Sequence, residues 1–196
     1  MPTAFSHAIV FSGLLQAPAV TLLRNQLAFL NQPSQSQIGM THLPATDLLI
    51  VFSSLGGQTH EMRSLYDLLR SLPYSIEIHV AGGTKSSAVP LILAADRRTA
   101  APNTSFVFHP WACGVDANPG HIMEVLRQLP MQLEDDIAWG KKVLEERTNL
   151  TADKIEELKL FDSAVIWDAD TALEHGLIHE IVETKIPPGI MTWNVA

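Results

Sequence analysis

Apolar positions along the chain recur with two different periods. Ala8 to Phe11 is an apolar run of strand length, after which Val20, Leu23, Leu27 and Leu30 return at helical spacing. Leu48-Leu49-Ile50-Val51-Phe52 is a second such run, ending at Ser53-Ser54-Leu55-Gly56-Gly57. Met62, Leu65, Leu69 and Leu72 then predict a helix. Ile76, Ile78 and Val80 alternate with polar positions, as in a strand, which Gly82-Gly83 is expected to break. The apolar stretch from Ala88 to Ala95 reads as a helix with Ser87 as its N-cap. Pro90 then falls in the first turn, where its missing N–H leaves no bond unmade. Phe106 to Phe108 is the next strand, and a long helix is expected from Ile122 to Arg147, bent near Pro130. Thr151 can cap a helix running to Leu160, and Ala164 to Trp167 reads as a strand. Asp168 or Asp170 can cap a short helix ending at Gly176, and Ile178 to Val182 closes the pattern.

Strands and helices alternate throughout, which implies one α/β domain, assigned to residues 1–186. The segment from Gln32 to Thr46, rich in Pro, Ser, Gln and Thr, reads as a surface loop. Residues 187–196 carry two prolines and no periodicity, and are expected to be a tail or frayed arm.

Composition narrows the function classes. With 46% hydrophobic and 17% charged residues, the chain has enough apolar material for a core without covalent staples. The single cysteine, Cys113, excludes an internal disulfide, and no Cys/His cluster offers zinc ligands. A formal charge of −8 repels a phosphate backbone, so no nucleic-acid partner is expected. Neither a basic N-terminal leader nor an apolar run of about 20 residues is seen, so the expectation is a soluble, cytoplasmic protein without a membrane partner.

Candidate chemistry gathers at the glycine pairs. Gly56-Gly57 and Gly82-Gly83 each follow an apolar strand and lead into a helix, and such turns expose N–H groups that can hold an oxyanion. Ser87 stands at the helix start after the second pair, as either an ordinary N-cap or a nucleophile. Ser86 is the adjacent alternative, and Lys85 could in principle serve Ser87 as a base, although a side chain two residues away is expected to point elsewhere. His109 ends the strand 106–108, where an imidazole can reach a neighbouring loop as a general base at neutral pH. Other motifs fail: His60-Glu61 lacks a second histidine at Ser64, and Lys85 and Val89 flank Ser87 in place of the glycines of a hydrolase elbow. Glu134, Asp135 and Asp136 read as a solvated helix face.

Taken together, these residues resemble the ClpP family of serine peptidases from about Ala8 to Val182. Ser54-Leu55-Gly56-Gly57 is similar to its S-P-G-G turn, and Gly83-Thr84-Lys85-Ser86-Ser87 to its approach to the nucleophile. Leu91 to Ala95 resembles the following helix, Pro102-Asn103-Thr104 with His109 its turn and strand-end histidine, and Glu174 to Ile178 a later E-Y-G-L-I/V segment. The resemblance implies a ClpP/crotonase-like spiral of β-β-α units, a single domain with a long handle-like helix. It implies Ser87 as nucleophile, His109 as base, and the N–H groups of Gly57 and Ala88 as the oxyanion hole, with no cofactor or metal. The family's aspartate aligns with Ala164, so Asp162, two residues earlier, is the candidate to orient His109. Expected partners are a peptide or unfolded-protein substrate and further copies of the chain, and the likeness admits an ATP-dependent unfoldase. Apolar residues on more than one side of 122–147, among them Val125, Leu129, Met131 and Trp139, support a homo-oligomer.

Ala94-Ala95-Asp96-Arg97-Arg98-Thr99-Ala100 is also similar to a crotonase pattern, although crotonases carry glycine at the position of Ser87. A crotonase-like acyl-CoA enzyme and a catalytically silent ClpP-like assembly subunit are therefore the alternatives.

Overall fold

The computed structural model describes the backbone of residues 5–32, 46–112 and 122–195, with the side chains of all but 122–126. The interior of the expected loop at 32–46, and Cys113, lie outside the described residues.

The described residues form, in chain order, β1 (His7–Leu15), α1 (Ala17–Leu30), β2 (Asp47–Gly57), α2 (Thr59–Ser71), β3 (Ser75–Lys85), α3 (Ala88–Ile92), β4 (Arg97–Ala100), β5 (Ser105–Phe108), α4 (Ile122–Arg147), α5 (Ala152–Glu157), β6 (Val165–Asp168), α6 (Ala169–Glu174), β7 (Glu180–Ile181) and β8 (Met191–Val195). The strands form one sheet in the order β6-β5-β3-β2-β1-β8, with β4 joined to β3 and β7 off this path. All pairings are parallel except β5 with β6. Ile9, Phe11, Ile50, Phe52 and Ile78 point to one face and pack with Leu27, Leu65 and Leu69 of the helices into the main core. Alternate residues Ala8, Leu49 and Val51 point to the other face, where Phe5 and Ile190 pack on a smaller cluster. Burial on both faces accounts for the unbroken apolar run at 48–52.

Three features depart from the sequence-based expectations. Gly82-Gly83 does not break the strand: Glu77 to Val80 pair with β4, and Gly83 to Lys85 pair with β5. Gly82 has φ 92, a conformation that glycine adopts freely, so the chain can turn there and exchange one partner strand for the next. β4 was hidden because Arg97-Arg98-Thr99 looks polar, yet Arg98 and Thr99 are buried. Thirdly, the tail is no frayed arm. Met191 to Val195 pair in register with His7 to Phe11, and the Trp193 ring stacks on His7 at 5.4 Å. Its prolines precede the strand, so no ladder donor is lost.

Arg98 explains how a guanidinium can be buried without a carboxylate. Its Nε donates to the carbonyl of Leu177 at 2.8 Å, and its Nη2 to those of Arg147 at 2.9 Å and Gly176 at 3.1 Å. Arg147 is the last residue of α4, where the helix dipole places negative charge, and Gly176 and Leu177 lie in the turn that follows α6. Burial still pushes its pKa down to about 10. His79 has an analogous structural task. Its Nδ1 lies 2.9 Å from Thr99 Oγ1, which itself donates to Glu77, so Nδ1 carries the proton and Nε2 accepts from Thr184 at 2.8 Å. Burial lowers the His79 pKa, which favours this neutral form, and the bond ties the segment leading to β8 onto the sheet.

Candidate active site

β2 and β3 run side by side and deliver their glycine-bearing ends together: Ser54 pairs with Thr84, and Ser53 Oγ donates to the Gly83 carbonyl at 3.3 Å. On the outer side Leu15 of β1 pairs with Gly57 so closely that a Cβ on Gly57 would stand 2.2 Å from the Leu15 carbonyl oxygen. No side chain fits there, and the Gly57 peptide is held in one place. Its N–H donates to Ser87 Oγ at 2.9 Å, and the Ser87 hydroxyl donates back to the Gly57 carbonyl at 3.1 Å.

Ser87 is fully buried and stands immediately before α3. Its side chain makes no capping bond to the helix, so the ordinary N-cap role is not the one it fills. The N–H of Ala88, first residue of α3, has no intrahelical acceptor by position. Ser86 makes the turn between β3 and α3 with φ 55, donating its N–H to the Val107 carbonyl at 2.8 Å. That bond carries the turn over to β5, the strand that ends one residue before His109.

His109 Nδ1 lies 2.7 Å from the carbonyl oxygen of Pro110. A carbonyl can only accept, so Nδ1 holds the proton and Nε2 is left as the basic nitrogen. No hydrogen bond joins Ser87 and His109, and the serine hydroxyl instead donates to the Gly57 carbonyl. Asp162 lies in the turn after α5, exposed, and its carboxylate makes no hydrogen bond to His109. The structure thus brings Gly57, Ser87 and Ala88 together, places His109 just past the adjacent strand end in a base-competent tautomer, and gives Asp162 no hydrogen bond to it. Among the described residues no cluster of His, Cys, Asp or Glu could hold a metal ion.

One polar cluster next to this site escaped the sequence. Asp136 is not on a solvated face. It is 3% exposed, and accepts from Thr59 Oγ1 at 2.5 Å and from Arg63 at 2.9 Å. Its neighbour Asp135 stays exposed while also pairing with Arg63. The signal was available: Asp136 shares a helical stripe with Leu133, Gly140 and Val143, at spacings of three, four and seven.

A family model described as Clp protease matches residues 8–185. The chain is 26% identical over 144 residues to the ATP-dependent Clp protease proteolytic subunit 2 of Leifsonia xyli subsp. xyli, covering 72% of this chain and 63% of that protein. It is 26% identical over 143 residues to the ATP-dependent Clp protease proteolytic subunit 1 of Tropheryma whipplei, covering 71% of this chain and 66% of that one. The match therefore spans slightly under two thirds of the length of these curated relatives. Among solved structures, a mutant ClpP1 from Listeria monocytogenes superposes with a TM-score of 0.74, covering 92% of this chain and 93% of the other at 17% identity, a likeness of fold.

Proposed function

The chain belongs to the Clp protease family, and from that premise we propose that it is a serine peptidase in which Ser87 attacks the peptide carbonyl and His109 is the general base. The observation that supports this most strongly is the Gly57 N–H at 2.9 Å from Ser87 Oγ, a donor beside the oxygen that would attack. In the single chain the hydroxyl is turned inward onto Gly57. Rotation about its χ1 releases both the Gly57 N–H and the serine proton. Nε2 of His109 takes that proton as Oγ bonds to the carbonyl carbon, and the N–H groups of Gly57 and Ala88 receive the oxyanion. The same nitrogen then protonates the leaving amine, and water releases the acyl group. Each oxyanion donor is worth about 3–4 kcal/mol in comparable sites.

Peptides or unfolded proteins are the proposed substrates, a homo-oligomer the proposed working form, the cytoplasm its proposed site of action, and an ATP-dependent unfoldase its proposed partner. Met131 on α4 is 73% exposed, in keeping with a helix that meets another copy. None of the described helices is long and apolar enough to cross a membrane. The test is turnover of a fluorogenic peptide beside an acyl-CoA thioester by the purified protein. Peptide hydrolysis alone is expected. Thioester hydrolysis alone would favour crotonase-like chemistry, which needs the oxyanion donors but not the hydroxyl.

Asp162 has a separate test. The Pro110 carbonyl already satisfies Nδ1 of His109, so Asp162→Asn is expected to change kcat/KM less than about threefold. A fall of about 10⁴-fold, the size seen where a triad aspartate is lost, would install Asp162 as the third member.

A further inference from the structure

Asp136 is a buried carboxylate that the acyl-transfer steps do not use. Its two oxygens are divided: Oδ2 accepts from Thr59 Oγ1 at 2.5 Å, and Oδ1 from Arg63 at 2.9 Å. Thr59 is the first residue of α2, and the residue that would cap this helix, Gln58, makes no side-chain cap bond. A carboxylate at this end is favoured by the helix dipole. Thr59 is also two residues past Gly57. On the other side of this short turn, Gln58 N–H donates to the Leu15 carbonyl at 2.8 Å. The segment Gly57-Gln58-Thr59 is therefore fixed at two points, by β1 from one side and by α4 from the other.

We propose that Asp136 is a positioning residue through which α4 sets the Gly57 N–H, by holding Thr59 in place. The proposal rests on the peptidase reading for its consequence in turnover, but the anchor itself does not depend on it. A peptide plane held at one end only can tilt, and a misplacement of about 1 Å at a reacting centre can cost 100-fold in rate. The orientation of α4, which carries the exposed Met131, would then reach the oxyanion donor through one hydroxyl and one carboxylate.

The test uses Thr59→Val, which keeps the shape and removes the hydroxyl, with Thr59→Ser as the conservative rescue. Three readouts are taken on the full chain: steady-state peptide kinetics, amide hydrogen exchange over residues 53–60, and the urea unfolding midpoint. In Thr59→Val, exchange at 57–59 is expected to rise while the rest of the sheet is unchanged, and kcat to fall about 10- to 100-fold with KM nearly constant. Thr59→Ser is expected to restore both, and Asp136→Asn to fall between them. Unchanged exchange at 57–59 in Thr59→Val would overturn the anchor, whether or not the protein hydrolyses peptides. Raised exchange with unchanged kcat in an active protein would overturn the link to Gly57. Equal losses in Thr59→Val and Thr59→Ser, together with a lower unfolding midpoint, would reduce the contact to packing and also overturn it. If the wild type is inactive but exchange rises as expected, the peptidase reading fails and the anchor stands.

Discussion

Ser87→Ala is expected to leave the fold intact and to lower peptide turnover by roughly 10⁶-fold, the loss seen when a comparable nucleophile is removed. The substitution deletes one buried hydroxyl, along with its two bonds to Gly57, and adds no bulk. His109→Ala should fall nearly as far, and the double variant scarcely further, because the proposed mechanism has the two groups act in one step. Stopped assays on the folded variants check this. Additive losses in the double variant would mean that the serine and the histidine work independently.

Gly57→Ala is the second large effect, and it differs in kind. A Cβ at this position would overlap the Leu15 backbone, with 2.2 Å to its oxygen and 2.6 Å to its carbonyl carbon. Either β1 moves away or the Gly57 peptide turns, and turning it takes the N–H off the proposed oxyanion position. A loss of about 10²–10³-fold in kcat is expected from the displaced donor, with about 1–3 kcal/mol of stability lost to overpacking. Kinetics and urea unfolding on the same samples separate the two. A variant with normal kcat and a lowered urea midpoint would show that Gly57 serves the fold alone.

Much of this was legible in the residues, for reasons that can be named. The apolar run at 48–52 and the alternating positions at 76–80 are strands buried by helices on at least one face, and spacings of three and four mark α1 and α2 on the sheet. The approach of Gly57 to Ser87 follows from two parallel strands ending level with each other, and paired glycines signal that. What stayed hidden depends on contacts across the fold. Arg98 and Thr99 look like surface residues until three carbonyls and Glu77 are seen around them. The last strand was missed because its pairing partner, β1, lies at the opposite end of the chain. Asp136 was read with its charged neighbours, when its position on the stripe of Leu133 and Gly140 outweighs its charge. The tautomer of His109 depends on a single carbonyl one residue away, which composition cannot reveal.

Covalent labelling of the protein with a fluorophosphonate, followed by mass spectrometry, reads out the nucleophile itself. If Ser87 is the nucleophile proposed above, it should react far faster than the other serines of the chain. The expected result is one adduct, on Ser87, absent from Ser87→Ala and from His109→Ala. An adduct on Ser86 would move the nucleophile to the residue at φ 55 and contradict the assignment of Ser87. A folded protein that takes no label between about pH 6 and 9 would contradict the peptidase itself.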